Sequence, residues 1–478
     1  MELEPVIGLE VHAQLNTNSK IFCSCSTRFG APPNSNTCPV CLGMPGALPV
    51  LNDGAVELAL KAGIAVNCKI PPFSIFARKN YFYPDLPKGY QISQYEQPLA
   101  TDGELQIPEN GASKTIRIKR IHMEEDAGKL LHEGADAGGD ASLVDFNRAG
   151  VPLIEIVSEP DLNSPAEAYS YLTQLKAILQ YCEISQANME EGQLRCDANI
   201  SLRPKGSKEL GTKVEIKNLN SFRNVVKALE YEVERQEKAL QTGQKIVQET
   251  RLYDADKDVT ESMRSKEEAH DYRYFPDPDL TPLHVSEERM KRAGSTMPEL
   301  PAQKRARFSE QYALTPADVE ILTETKSLAD FFEQTAQFSR EPKLTANWIL
   351  RDVLSKLKEH AKIIDESNIS TEHLAGLIKA IANGTISGAQ GKEVFEEMWD
   401  SGESAAEIIG RKGISQISGE VEIGRIVDSV LAENPEIAER YRKGELKLHG
   451  VLVGLVMKAS GGKANPSLVS RLIQKTSS

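Results

Sequence analysis

Three stretches of this chain alternate apolar and polar residues with a period of two, which commits its N-terminal part to antiparallel sheet. From Val6 to Leu15 one side carries Ile7, Leu9, Val11, Ala13 and Leu15, and the other carries Glu10, His12 and Gln14. Gln193 to Leu202 repeats the pattern, with Leu194, Cys196, Ala198, Ile200 and Leu202 opposed to Gln193, Arg195, Asp197, Asn199 and Ser201. Lys213 to Lys217 does so again around Val214 and Ile216. Successive side chains leave a strand on opposite faces, so clean alternation marks a strand packed on one face only, the habit of antiparallel sheets. For most such strands the outward face is plain solvated surface. Here it is dense in Glu, His, Asp, Asn and Arg and poor in Lys and Thr, which makes it a candidate active surface.

A chain of 478 residues is too long for one core, so two or three domains are expected. Residues 1 to about 295 carry short β-branched runs broken by Gly, Pro and Asn, with helical spacing at Pro165 to Leu179 and Val225 to Leu240. From about 296 to 400 the text turns to Ala, Leu, Glu and Lys with helical periodicity, at Leu328 to Phe338, Leu344 to Ile364 and Thr371 to Ala382. Ser401 to Ser418 reads as turns and a boundary. Helices are expected again at Val421 to Asn434 and Glu445 to Ala459, with Gly461-Gly462 as a stop. The class is therefore α+β, without repeats or low-complexity segments.

The first residues, Met1 to Pro5, are acidic where a signal peptide is basic, and apolar stretches such as Gly450 to Met457 are too short to span a bilayer. A cytoplasmic protein without membrane partners is expected. The formal charge is −13, yet Arg440 to Ser478 holds eight basic residues against Glu445 alone, a local +7 on a body of −20. Such a tail suits phosphate-backbone binding at one end, and a solvated helical surface explains it equally well.

Cys23-Ser24-Cys25 and Cys38-Pro39-Val40-Cys41 form a C-x-C and a C-x-x-C separated by a turn-forming linker. Two short loops supplying four thiolates fit tetrahedral zinc, and four protein ligands close the site, making it structural. Cys68, Cys182 and Cys196 read as core residues.

No G-x-x-x-x-G-K-[ST] and no G-x-G-x-x-G occurs, so any nucleotide chemistry needs carboxylates holding Mg²⁺, with cations and amides around the phosphates. The candidate carboxylates are Glu10, the run Glu124-Glu125-Asp126, Glu155 and Asp197. Glu155 is the most informative, because an ionised carboxylate in the apolar strand Pro152 to Ile156 is costly unless paired or bound to metal. His12, two residues from Glu10 on one face, is a candidate ligand or proton handler. His122 and His132 read as surface or packing residues.

Longer words are recognisable. Val6 to His12, Arg78 to Asp85, His122 to Lys129, Val144 to Asp161, Leu194 to Asn199, Glu215 to Ser221 and Asp271 to Pro276 resemble, in order, the B-subunit family of tRNA-dependent amidotransferases. The resemblance implies a cradle-shaped N-terminal catalytic domain on an antiparallel sheet with helices (1–295), a helical domain (296–405) and a small all-helical, tRNA-binding tail (406–478). It implies ATP-dependent phosphorylation of the side-chain carboxylate of mischarged Glu-tRNA(Gln) or Asp-tRNA(Asn). Ammonia released by a glutaminase, the family's A subunit, then displaces phosphate, and a small C subunit makes up the heterotrimer. Carried over by motif, Glu10, His12, Glu124, Glu125, Glu155 and Asp197 are candidates for the Mg²⁺ and ATP site, with Glu10, His12, Glu125 and Glu155 catalytic. Lys79, Tyr81, Asp85, Lys88, Arg195, Lys217, Asn218 and Asn220 are expected around the nucleotide, pocket or channel. The motif does not say which of Glu124 and Glu125 turns inward. The family has zinc-bearing members, which the four cysteines fit.

Two rival readings remain at this point: a non-catalytic tRNA-binding scaffold, and a zinc hydrolase, which needs an open coordination position. Whether Glu-tRNA(Gln), Asp-tRNA(Asn) or both are used is not written in the residues.

Overall fold

The alternating stretch around Glu10 forms the strand Leu3–Gln14, fifth in an eight-stranded sheet. The structure is a computed structural model that describes residues 2–109, 112–131, 142–263, 272–413, 420–461 and 463–475. The strands run, edge to edge, Val259–Ser262, Glu249–Asp254, Val214–Leu219, Leu194–Pro204, Leu3–Gln14, Pro152–Ser158, Ala112–Glu125 and Ala100–Glu109. Neighbours are antiparallel except Val214–Leu219 with Glu249–Asp254, which are parallel. The expected antiparallel sheet is thus a mixed one with a single parallel pair. A parallel pair needs a crossover, and the helix Phe222–Gln241 supplies it.

The apolar sides of the alternating strands all face one way. Ile7, Leu9, Val11, Ile154, Ile156 and Ile200 join one buried cluster with Tyr171, Leu172 and Leu175 of helix Pro165–Tyr181 and Val225 and Leu229 of helix Phe222–Gln241. Burying each Leu or Ile stabilises by roughly 1.5–3 kcal/mol. A one-residue slip would turn these side chains outward and forfeit that gain, so the register is firmly set. The same constraint fixes Glu10, His12, Glu155 and Asp197 on the opposite face. Both helices start where a serine caps them: Ser164 accepts from the Glu167 amide, and Ser221 from the Asn224 amide. That cap is why the second helix begins three residues before its apolar spacing does.

A smaller sheet of Phe76–Asn80, Tyr90–Gln94 and Phe275–Pro276 brings Lys79, Ser93 and Gln94 to a pocket shared with Glu10, His12 and Glu155 of the polar face. Gln94 docks it: its side-chain oxygen accepts from the backbone amides of Met123 (3.0 Å) and Leu99 (3.1 Å).

Residues Met1–Pro301 form one compact unit and Ala302–Ser478 another. The described part of the second unit is helical around two buried clusters, one including Phe332, Trp348, Ile378 and Phe395, the other Ile423, Val427, Leu452 and Val456. The helix expected from Leu344 to Ile364 runs from Pro342 to Glu359 with a π turn at Ile349–Val353 inside it, and a separate 3-10 turn follows at Ile364–Glu366. The turn-like stretch from Ser401 contains a helix, Ala405–Lys412, whose Ile408 is buried with the first of these clusters. Gly413, at φ 60°, ends it in the left-handed region. Residues 414–419 and Gly462 lie outside the described residues, as do His132 and Asp271. The eight bases from Arg440 to Lys475 are all exposed. Among the described residues no helix is long and apolar enough to cross a membrane.

Candidate active site and thiolate cluster

Register assembles the polar face. Glu155 stands directly between His12 on one neighbouring strand and His122 on the other, while Glu10 pairs with Asp197. His12 Nε2 lies 3.3 Å from Glu155 and 3.5 Å from Glu124. His122 Nε2 lies 3.2 Å from Glu155 and 3.6 Å from Glu124. These groups line a pocket of about 290 Å³ shared with Glu10, Asp197, Glu215, Lys79, Lys217, Arg120, Ser93 and the rings of Tyr95, Tyr272 and Tyr274. A neighbouring cavity of about 330 Å³ shares Glu10 and continues along the same face past Gly8 and Asn199.

The electrostatics follow from crowding charges on one face. Burial opposes ionisation of Glu155, but hydrogen bonds from His12 and His122 outweigh it and hold its carboxyl far below the usual range. Burial likewise opposes charge on His122, and its bonds to Glu124 and Glu155 override that, lifting its pKa to about 9. His12 is raised in the same way, against burial, by Glu155 and Glu124. Glu10 moves in the other direction: burial and the neighbouring Glu155 charge push its carboxyl up, opposed by the 2.9 Å hydrogen bond that Asn199 donates. The face thus holds excess negative charge, which raises the proton affinity of both imidazoles.

The same donor atoms fit a cation. One ligand atom each from His12, Glu124 and Glu155 lie within 4.8 Å of one another. Two carboxylates and an imidazole, with further carboxylates at Glu10 and Asp197, suit a hard divalent ion that keeps several waters.

Not every expected residue reaches this pocket. Glu124 faces it; Glu125, one residue on, faces away. The Glu125 carboxylate is paired with Lys88 (2.6 Å to Oε2) and accepts from the Ile92 amide at 2.8 Å. Glu125 and Lys88 line a separate cavity of about 130 Å³, bordered by Cys23 and Cys41. Lys79 and Lys217 line the main pocket, and Lys217 lies 3.5 Å from Asp197. Tyr81 adjoins it: Lys79 Nζ lies 5.8 Å from its ring centroid, and burial followed by the Glu124 charge raises its hydroxyl. Arg195 projects from the same face opposite His12 but donates to the buried Asp126 at 2.9 Å. Asp85 sits in a turn where its carbonyl accepts from Gly128. Asn218, at φ 66°, donates to the Tyr253 carbonyl and shapes the strand end, and Asn220 is exposed just before the helix cap.

His122 is a correction. It is 3% exposed and sits between Glu124 and Glu155, so it is neither a surface residue nor mere packing. Its signal lies in the alternation: it precedes Glu124 by two on one strand, as Glu10 precedes His12. Arg120, on the same alternation, joins the pocket by the same rule and is absent from the expected set. Tyr95, Tyr272 and Tyr274 come from loops beside short strands, which no periodicity marks.

The four cysteines Cys23, Cys25, Cys38 and Cys41 bring their sulfurs within 4.8 Å of one another, and Cys38 and Cys41 are 3.9 Å apart. That spacing suits four thiolates about 2.3 Å from one zinc ion. Lys20, fully buried, directs its ammonium at Cys41 Sγ (3.6 Å) and at the Asn36 carbonyl (2.8 Å). A buried cation is what an anionic thiolate cluster needs beside it. Cys182 and Cys196 are buried as expected, and Cys68 is half-buried.

Known proteins resemble the chain along nearly its whole length. The model of the GatB/GatE catalytic domain matches residues 5–291, and that of the GatB domain matches residues 330–476. The chain is 57% identical over 475 residues, 99% of each protein, to the B subunit of the aspartyl/glutamyl-tRNA(Asn/Gln) amidotransferase of Thermodesulfovibrio yellowstonii. It is 55% identical, over 99% of each, to the proteins of the same name from Persephonella marina and Geotalea daltonii.

Proposed function

The chain belongs to the GatB family, the B subunits of tRNA-dependent amidotransferases, and from that membership we propose how its polar face carries out the reaction. The activity is tRNA-dependent transamidation, a carbon–nitrogen ligation performed within an amidotransferase of several subunits. In our reading the pocket around Glu155 activates the side-chain carboxylate of Glu or Asp esterified to tRNA. A carboxylate resists attack by ammonia, because its charge repels the nucleophile and oxide leaves poorly. Transfer of the γ-phosphoryl group of ATP to one carboxylate oxygen, with departure of ADP, makes an acyl phosphate. Ammonia then attacks the acyl carbon, phosphate leaves with the C–O bond electrons, and the amide loses a proton.

The chain's own groups divide that work. His12, Glu124 and Glu155, with Glu10 and Asp197 nearby, would hold Mg²⁺. Bound there, the ion would neutralise charge on the phosphates, as phosphoryl transfer requires. Lys79 and Lys217 supply positive charge around the phosphates, and the cavity past Glu10 and Gly8 offers the nucleotide room along the sheet. An acyl phosphate hydrolyses in open water, which favours an enclosed pocket and delivered ammonia. We assign delivery to a glutaminase, the A subunit, held in place by a small C subunit. Cys23, Cys25, Cys38 and Cys41 would hold a structural zinc ion. An acidic face repels tRNA phosphates, so we assign backbone affinity to the exposed bases beyond Arg440.

One observation carries the reading: Glu155 is held ionised in an otherwise apolar strand between two histidines. Glu155→Ala in the complete complex is expected to abolish ATP-dependent phosphorylation of the mischarged tRNA while glutamine hydrolysis continues at least in part. Phosphorylation at the parent rate would reduce the chain to a binding scaffold.

A further inference from the structure

The pocket mouth carries a feature that carboxylate activation by itself does not use. Tyr95, immediately after strand Tyr90–Gln94, stacks flat on Tyr274, with ring centroids 4.2 Å apart and planes 7° from parallel. Tyr272 braces Tyr274 edge-on at 6.1 Å and 76°. All three rings border the pocket that holds Glu124 and Glu155. One face of Tyr95 is covered by Tyr274, yet the residue remains 47% exposed. Arg120 borders the same pocket with its Nε buried and without a hydrogen-bond partner among the described residues.

Parallel rings with one outer face open are a surface for a third flat ring, and nucleobases stack on such platforms whatever their identity. The amino acid to be activated has no ring of its own. It is esterified to the ribose of the tRNA's terminal nucleoside, so its base must rest one ribose away, at the opening of the pocket. We infer that the outer face of Tyr95, backed by Tyr274, stacks the adenine of the tRNA's 3′-terminal adenosine and so holds the esterified side chain over Glu124 and Glu155. Arg120 then faces the adjoining phosphate. This rests on the carboxylate-activating reading above and adds the group by which the acceptor end is held. The cavity past Gly8 leaves room elsewhere for the base of ATP.

The test uses the complete complex and a mischarged tRNA whose terminal adenine is replaced by 2-aminopurine, a base whose fluorescence is quenched by stacking. Binding should quench the signal strongly. Tyr95→Leu should remove most of the quench and lower kcat/KM for mischarged tRNA roughly 10- to 100-fold, with KM for ATP unchanged. Tyr95→Phe should behave as the parent, since the ring and not the hydroxyl does the stacking. Equal quenching in parent and Tyr95→Leu overturns the inference. So does a raised KM for ATP with an undisturbed aminopurine signal, which would put the nucleotide's base on Tyr95. If the parent quenches but forms no phosphorylated intermediate, the activation chemistry fails while the platform stands.

Discussion

The two metal-sized clusters of this protein are built on opposite principles. Four thiols gather from residues 23–41, a single short span in which each pair is already near its neighbour in sequence. His12, Glu124 and Glu155 come from three strands far apart in the chain and meet only because the strands pair in one register. The first cluster is a property of local spacing. The second is a property of the sheet, and it inherits the sheet's parity: odd and even neighbours on a strand go to different sides.

The sharpest way to break the comparison is to change two adjacent carboxylates. Glu124→Gln removes a group facing the pocket, and Glu125→Gln removes one facing Lys88. Loss of a metal-holding carboxylate is expected to cost on the order of 10²–10³-fold in phosphorylation rate, the several kcal/mol a catalytic ion supplies. Mn²⁺ binding measured by titration should fall with it. Glu125→Gln should leave Mn²⁺ binding intact and lower stability by about 3–5 kcal/mol, because Lys88 stays buried without its counter-charge. Denaturant melts beside the titration would separate the two. Equal loss of metal binding in both variants would mean that parity does not decide the site.

The same contrast explains which features the residues alone make legible. The thiol cluster is complete in the sequence, because spacing by itself carries it. The three alternating strands and their buried faces are legible too, and Glu155 is conspicuous for standing in an apolar run. Pairing register is set by side chains that meet from distant parts of the chain, so the choice between Glu124 and Glu125 does not follow from local pattern, and His122 follows from alternation only once Glu124 is placed. The π turn at Ile349–Val353 is hidden similarly, because the apolar spacing of the helix continues through it. Loop-borne residues such as Tyr95 and Tyr274 leave no periodic trace at all.

A second prediction separates the clusters by role. Replacing Cys23, Cys25, Cys38 and Cys41 with serine should take zinc from about one per chain to about none by metal analysis. At saturating zinc the variant should lose about 4 kcal/mol of stability, the linkage expected when zinc exceeds its dissociation constant about a thousandfold. Phosphorylation per folded molecule should change less than about threefold, because a closed site offers no open position for chemistry. Activity that follows zinc content in folded protein would make the thiolate site catalytic.

The smallest effect is also a contrast, since the two clusters should fail at opposite ends of the pH scale. Zinc needs thiolates, so protons compete with it and its contribution fades as pH falls. In metal-free protein the carboxylate cluster behaves in the opposite sense. His122 is lifted to about 9 by Glu124 and Glu155, against an unfolded value near 6.5. A raised pKa means that the folded state binds the proton more tightly, so its stabilisation is complete below about 6.5 and disappears as pH rises through about 9. Glu155, depressed far below its unfolded value near 4.3, stays ionised throughout that window and contributes no slope there. Metal-free protein should therefore lose about 1–3 kcal/mol between pH 6.5 and 9, and His122→Gln should reduce that limb to the part His12 carries. Denaturant melts at half-unit pH steps in chelator would read it. A limb of unchanged slope in His122→Gln would show that the imidazolium is not what balances Glu124 and Glu155.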